Sequence, residues 1–182
     1  MSHSPYQTTL SSTNRFNFAD EGGNSYEVYF DKNSSVIPDE ELDEYAVYIG
    51  FTRIPPFKPF EKDYDPRVEA TITYLIENFF KSNKRGILVY VCSSQEKYAR
   101  HRSIAFRKWF LNSSLKDKFR HLPNQFGKTY TGALFSQKHP YSERIEFVLQ
   151  NFDPSEKFEP SSEEFEPPDL EEGFDTDYNF EE

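Results

Sequence analysis

With 182 residues, 36% hydrophobic and 29% charged, the chain has the length of one domain plus a tail, and its composition excludes a membrane protein built of apolar spans. Its Leu, Ile, Val and Phe number 44, above the roughly one-fifth of a chain below which a packed core fails, and 19 Phe with 12 Tyr make that core aromatic. The net charge of −10 is uneven, because residues 81–138 hold 13 bases and 2 acids whereas residues 153–182 hold 1 base and 13 acids, so the total excludes no anionic partner for the folded part.

Residues 1–13 are rich in Ser and Thr and unpatterned, and are expected to be disordered. Arg15-Phe16-Asn17-Phe18 alternates, Asp20 to Asn24 supplies turn chemistry, and Tyr26 to Phe30 resumes the alternation, which together predict a hairpin. Tyr45 to Phe51 reads as a third strand, closed by Pro55, Pro56 and Pro59. Asp65-Pro66 is a helix start, and Val68, Ile72, Leu75, Ile76 and Phe79 give one apolar face to a helix ending near Asn83. The continuous apolar run from Gly86 to Cys92 predicts a central strand buried on both faces.

Ser93 with Glu96 forms a capping box for a second helix running to about Asn112. A polar connection follows, then a strand over 128–135 and a final helix from Ser142 to Phe152. The order βββαβαβα predicts an α+β fold: a single domain over residues 14–152, with helices packed on a mostly antiparallel sheet. Beyond it, Phe152-Asp153-Pro154, Phe158-Glu159-Pro160 and Phe165-Glu166-Pro167 repeat Phe-acid-Pro, and residues 153–182 are expected to form a disordered acidic-aromatic tail.

The second helix carries the candidate site. At 100° per residue, Tyr98, Ala99, Ala105, Phe106, Trp109 and Phe110 share a core-facing arc with Arg102 in its middle, while Lys97, Arg100, His101, Arg107 and Lys108 lie opposite with Ile104 and Leu111. A charge among apolar residues needs a partner, so Arg102 either pairs with an acid such as Glu27 or lines an anion clamp beside Tyr98 and Trp109. The opposite arc is either a solvated surface or a contact for a polyanion such as a nucleic acid, favoured by the 13 bases gathered between residues 81 and 138. Binding of an anionic partner is thus expected at Lys97, Arg100, His101, Arg102, Arg107 and Lys108, with the acidic tail modulating it.

No catalytic residue, metal site or cofactor is assigned, and whether the chain is an enzyme stays open, with non-catalytic binding the leading expectation. Cys92 at a strand-to-helix turn fails the Cys-x5-Arg phosphatase pattern, because position 98 is Tyr. His101, His121 and His139 could supply the base of a metal-independent RNA-cleaving enzyme of toxin type, although their spacing singles out none of them. A third class is a protein-interaction module docking on Ile104 and Leu111. One cysteine, no zinc spacing and no apolar run in the first fifteen residues point to a soluble, cytoplasmic protein without membrane contact.

The aromatic hairpin, the Asp65-Pro66-Arg67-Val68 helix start, the strand ending Val91-Cys92-Ser93 and the block Ala99-Arg100-His101-Arg102 with Phe106, Trp109 and Phe110 resemble a domain-of-unknown-function family of small Bacteroidota proteins, over residues 14–152. The resemblance implies a bacterial origin and a single α+β domain, and carries over no activity and no catalytic residue.

Overall fold

The computed structural model describes residues 3–32, 37–56, 65–92, 99–127 and 129–151. Thr9–Ser12 (β1), Arg15–Ala19 (β2) and Ser25–Asp31 (β3) form an antiparallel meander, whose β2–β3 hairpin turns on Asp20 to Asn24 as its composition requires. Gly23 takes the positive φ of 78° that this turn needs, and its N–H reaches the Asp20 carbonyl at 3.0 Å. After a one-turn helix, Glu40–Asp43 (α1), comes Ala46–Ile54 (β4), antiparallel to β3. Pro66–Ser82 (α2) then crosses over to Ile87–Cys92 (β5), which runs parallel to β4. Asp65 caps α2 as expected, its carboxylate accepting the Arg67 N–H at 2.8 Å, with Pro66 opening the helix.

Ala99–Asn112 (α3) follows, then a 3₁₀ turn over Ser114–Asp117, an edge strand Phe119–Phe126 (β6), Thr129–Ser136 (β7) and Ser142–Gln150 (α4). The seven strands make one sheet in the order β1-β2-β3-β4-β5-β7-β6, and every neighbouring pair except β4–β5 is antiparallel. The chain is therefore a single α+β domain on a mostly antiparallel sheet.

Alternation along β5 divides the core. Leu88, Tyr90 and Cys92 join Phe18, Tyr26, Val28, Phe30 and Ile49 under α2 and α3, where Ile72, Leu75, Ile76 and Phe80 supply the helical side. Ile87 and Val89 point the other way, joining Ala46, Ala133 and Phe135 under Leu42 of α1 and Ile145 and Leu149 of α4. With helices on both sides, β5 needs an apolar residue at every position, which explains its unbroken hydrophobic run. No helix among the described residues is long and apolar enough to cross a membrane.

Two expectations are corrected. The N-terminal stretch, expected to lack order, supplies β1, and Tyr6 is buried: its N–H reaches Thr71 Oγ1 at 2.8 Å, its hydroxyl reaches Asp65 at 2.7 Å and its ring stacks on Phe18. The domain therefore begins before residue 14, and what orders the segment is α2, about sixty residues away in the chain. The connection after α3, expected only as a polar link with no element assigned to it, contains the strand β6; Pro123 fits because an edge strand can spare an N–H. Ser93, Glu96, Lys97, Tyr98 and the tail 153–182 lie outside the described residues.

Candidate functional site

Helix α3 lies over β5, β6 and β7 and against α2, and three devices set its roll. Phe106 stacks on Tyr90 at 4.7 Å, Trp109 meets Phe51 edge-on at 6.4 Å, and Phe110 packs on His121 at 5.2 Å. Beneath the helix, the Tyr90 hydroxyl hydrogen-bonds His121 Nε2 at 2.8 Å and also meets the Ser103 side chain. Tyr90 reaches across β7 only because residue 132 is glycine, where a Cβ would stand 2.3 Å from the Tyr90 ring. Burial, aided by the nearby Arg107 charge, pushes the His121 pKa down to about 4, so the ring is neutral at physiological pH.

With that face committed to the sheet, Arg100, His101, Arg107 and Lys108 are exposed on the other, as the 3.6-residue period predicts. They span about 12 Å of helix axis at 1.5 Å per residue. Ile104 and Leu111 lie between them and are 42% and 51% exposed. The helix contains no acid, and among the described residues no ion pair engages Arg100 or Arg107. Lys108 has an acidic neighbour on α2: burial raises the Glu69 carboxyl above its ordinary pKa, and Lys108 and His3 pull against that rise.

Arg102 does not share the outward face. It is half-buried on the sheet side, where burial pushes the Cys92 thiol up to about 11 and the Arg102 charge opposes the shift. Glu27, the acid suggested for it, instead receives Arg15 at 2.7 Å. The sequence pattern thus places Arg100, His101, Arg107 and Lys108 together and sets Arg102 apart.

The three histidines do not converge. His101 is exposed on α3, and His121 is under it. His139 is buried on the opposite side of the sheet among Phe135, Tyr45 and Tyr141, with Nε2 on the Arg85 carbonyl at 3.1 Å and Nδ1 accepting the Tyr141 N–H at 3.2 Å. Among the described residues no three His, Cys, Asp or Glu side chains are grouped to hold a metal ion. Sequence reasoning missed the Ser103–Tyr90–His121 contacts, because they join three separate elements; Gly132 amid a strand was the only local signal. Comparison with family models, curated proteins and solved structures finds no match to this chain.

Proposed function

We propose that this is a non-catalytic binding protein that engages an anionic polymer, foremost a nucleic-acid backbone, through the outward face of α3. The carrying observation is a helix free of acids whose exposed face displays Arg100, His101, Arg107 and Lys108 within three turns. Cations at this density exchange condensed counterions for phosphate contacts, a contribution that needs no base-specific geometry. The acidic tail acts on the same face as an intramolecular competitor. It departs from α4 beside the edge strand β6, where Asn124 Nδ2 holds the Leu149 carbonyl at 2.8 Å, and α3 covers the other side of that strand. Thirty residues span up to about 100 Å when extended. We place the protein in the cytoplasm, in keeping with Cys92 as a free, buried thiol.

The test is fluorescence anisotropy of a labelled duplex oligonucleotide titrated with the protein across a salt series. Three or four phosphate contacts give a log–log salt slope of roughly −3 to −4, and Arg100→Ala with Arg107→Ala should flatten it by about 2. Absence of binding at low salt, or a slope untouched by the double substitution, would falsify the proposal. The exposed Ile104 and Leu111 favour a second reading, a protein partner docked on that stripe. Its binding would be insensitive to salt and abolished by Ile104→Asp with Leu111→Asp.

A further inference from the structure

At the amino ends of the parallel strands β4 and β5 lies an open cleft of about 430 Å³, walled by the end of α2, the turn into β5 and the residue that follows β3. Half-buried Tyr45 and Phe79 form its apolar part, and Lys32, Lys84 and Arg85 ring it, opposed by Glu44. Its volume falls within the range of about 300–1,000 Å³ typical of small-molecule sites. No residue of α3 lines it, so it is a surface separate from the polyanion face.

The cations here do more than complement the end of α2. Lys81 already occupies the last helical turn, and Asn83 closes the helix, its N–H and Nδ2 both donating to the Phe79 carbonyl at 2.9 and 3.0 Å. Lys84 and Arg85 sit beyond that closure, and no ion pair among the described residues engages either. Lys32 follows directly on β3 and gives one donor to the Glu44 carbonyl at 2.9 Å, which leaves two of its three protons.

The turn that presents Lys84 and Arg85 is held from three sides. The Gly86 N–H reaches the Asn83 carbonyl at 2.9 Å, His139 Nε2 reaches the Arg85 carbonyl, and a Cβ at position 86 would stand 2.7 Å from the Phe79 ring. Such a platform fixes the backbone that carries the two charges, so on binding only their side chains have to be ordered. We infer that this cleft binds a phosphate monoester carried on a planar ring, the chemistry of a mononucleotide. Lys32, Lys84 and Arg85 would hold the phosphate, Arg85 through its planar fork, and the rings of Tyr45 and Phe79 would cover the planar part.

Isothermal titration and saturation-transfer NMR on the full chain, with AMP, inorganic phosphate and adenosine as separate probes, test this. AMP should bind, and phosphate and adenosine should each bind about tenfold or more weakly, since each offers half of the contacts. Lys84→Ala with Arg85→Ala should weaken AMP binding by about tenfold or more; both residues are exposed, and an unchanged near-UV dichroism spectrum confirms the fold. Arg100→Ala with Arg107→Ala should leave AMP binding unchanged, which separates this site from the α3 face. No AMP binding at millimolar concentration, equal affinity for phosphate alone, or affinity unaltered by the cleft substitutions would each overturn the assignment.

Discussion

His121 is the residue whose surroundings depart furthest from what its sequence position suggests. A histidine on an edge strand reads as a surface group, yet here the ring is stacked near Tyr90, covered by Phe110 and hydrogen-bonded to the Tyr90 hydroxyl. Its folded pKa of about 4 lies below the roughly 6.5 of a free imidazole, so as pH falls the unfolded chain takes up the proton first. The stability tied to His121 is therefore fully present above about pH 6.5 and is lost progressively toward pH 4, by about 3 kcal/mol in all. Urea midpoints measured between pH 7.5 and 5 should fall accordingly, above the range in which carboxylates titrate. His121→Gln, whose amide can donate to or accept from the Tyr90 hydroxyl, should flatten that profile; an equal slope in the variant would place the titrating group elsewhere.

At the scale of elements, α2 is stabilised by more than its own cap. Asp65 accepts the Arg67 N–H with one carboxylate oxygen and the Tyr6 hydroxyl with the other, at 2.8 and 2.7 Å, while the Arg67 guanidinium lies 4.0 Å over the Tyr6 ring and pairs with Glu21. Burial and the Asp65 hydrogen bond together push the Tyr6 phenol up to about 12, so it stays a donor. An exposed N-cap is worth about 1 kcal/mol. Asp65→Ala should cost more, about 2 kcal/mol, because a phenol loses its acceptor as well. In a double-mutant cycle with Tyr6→Phe, chemical denaturation should show a coupling of about 1 kcal/mol, and strict additivity would mean that the N-terminal segment does not support the helix.

For the whole molecule, the division of charge is the dominant property. Residues 153–182 carry a net −12, which leaves +2 on residues 1–152, so the overall sign belongs to the C-terminal thirty residues. On the proposed reading, the tethered acidic segment would meet the α3 face at an effective concentration in the millimolar range, high enough to populate even weak pairing. Truncation after Phe152 should therefore raise affinity for a duplex oligonucleotide by well over the effect of net charge alone, and the tail peptide added in trans should reverse the gain. Both effects should shrink as salt rises through physiological strength, where the screening length is about 8 Å. Superimposable amide spectra of the domain with and without the tail at low salt would rule out the contact.

The amino-acid sequence alone determined the features that rest on neighbours in the chain. These are the β2–β3 hairpin, α2 between Asp65 and Asn83, β5 with apolar residues on both faces, and the separation of Arg100, Arg107 and Lys108 from Phe106 and Trp109 around α3. Each follows from a turn, a cap or a period that a short window contains. Tertiary structure alone decided that Tyr6 and β1 are ordered, that β6 is an edge strand, that Glu27 serves Arg15, and that His121 lies beneath α3. The cleft joining Lys32 to Lys84 and Arg85 belongs to the same group. Those outcomes depend on which distant segments pair across the sheet, and the free energy that selects the pairing comes from burying both partners together, a term that no local window holds.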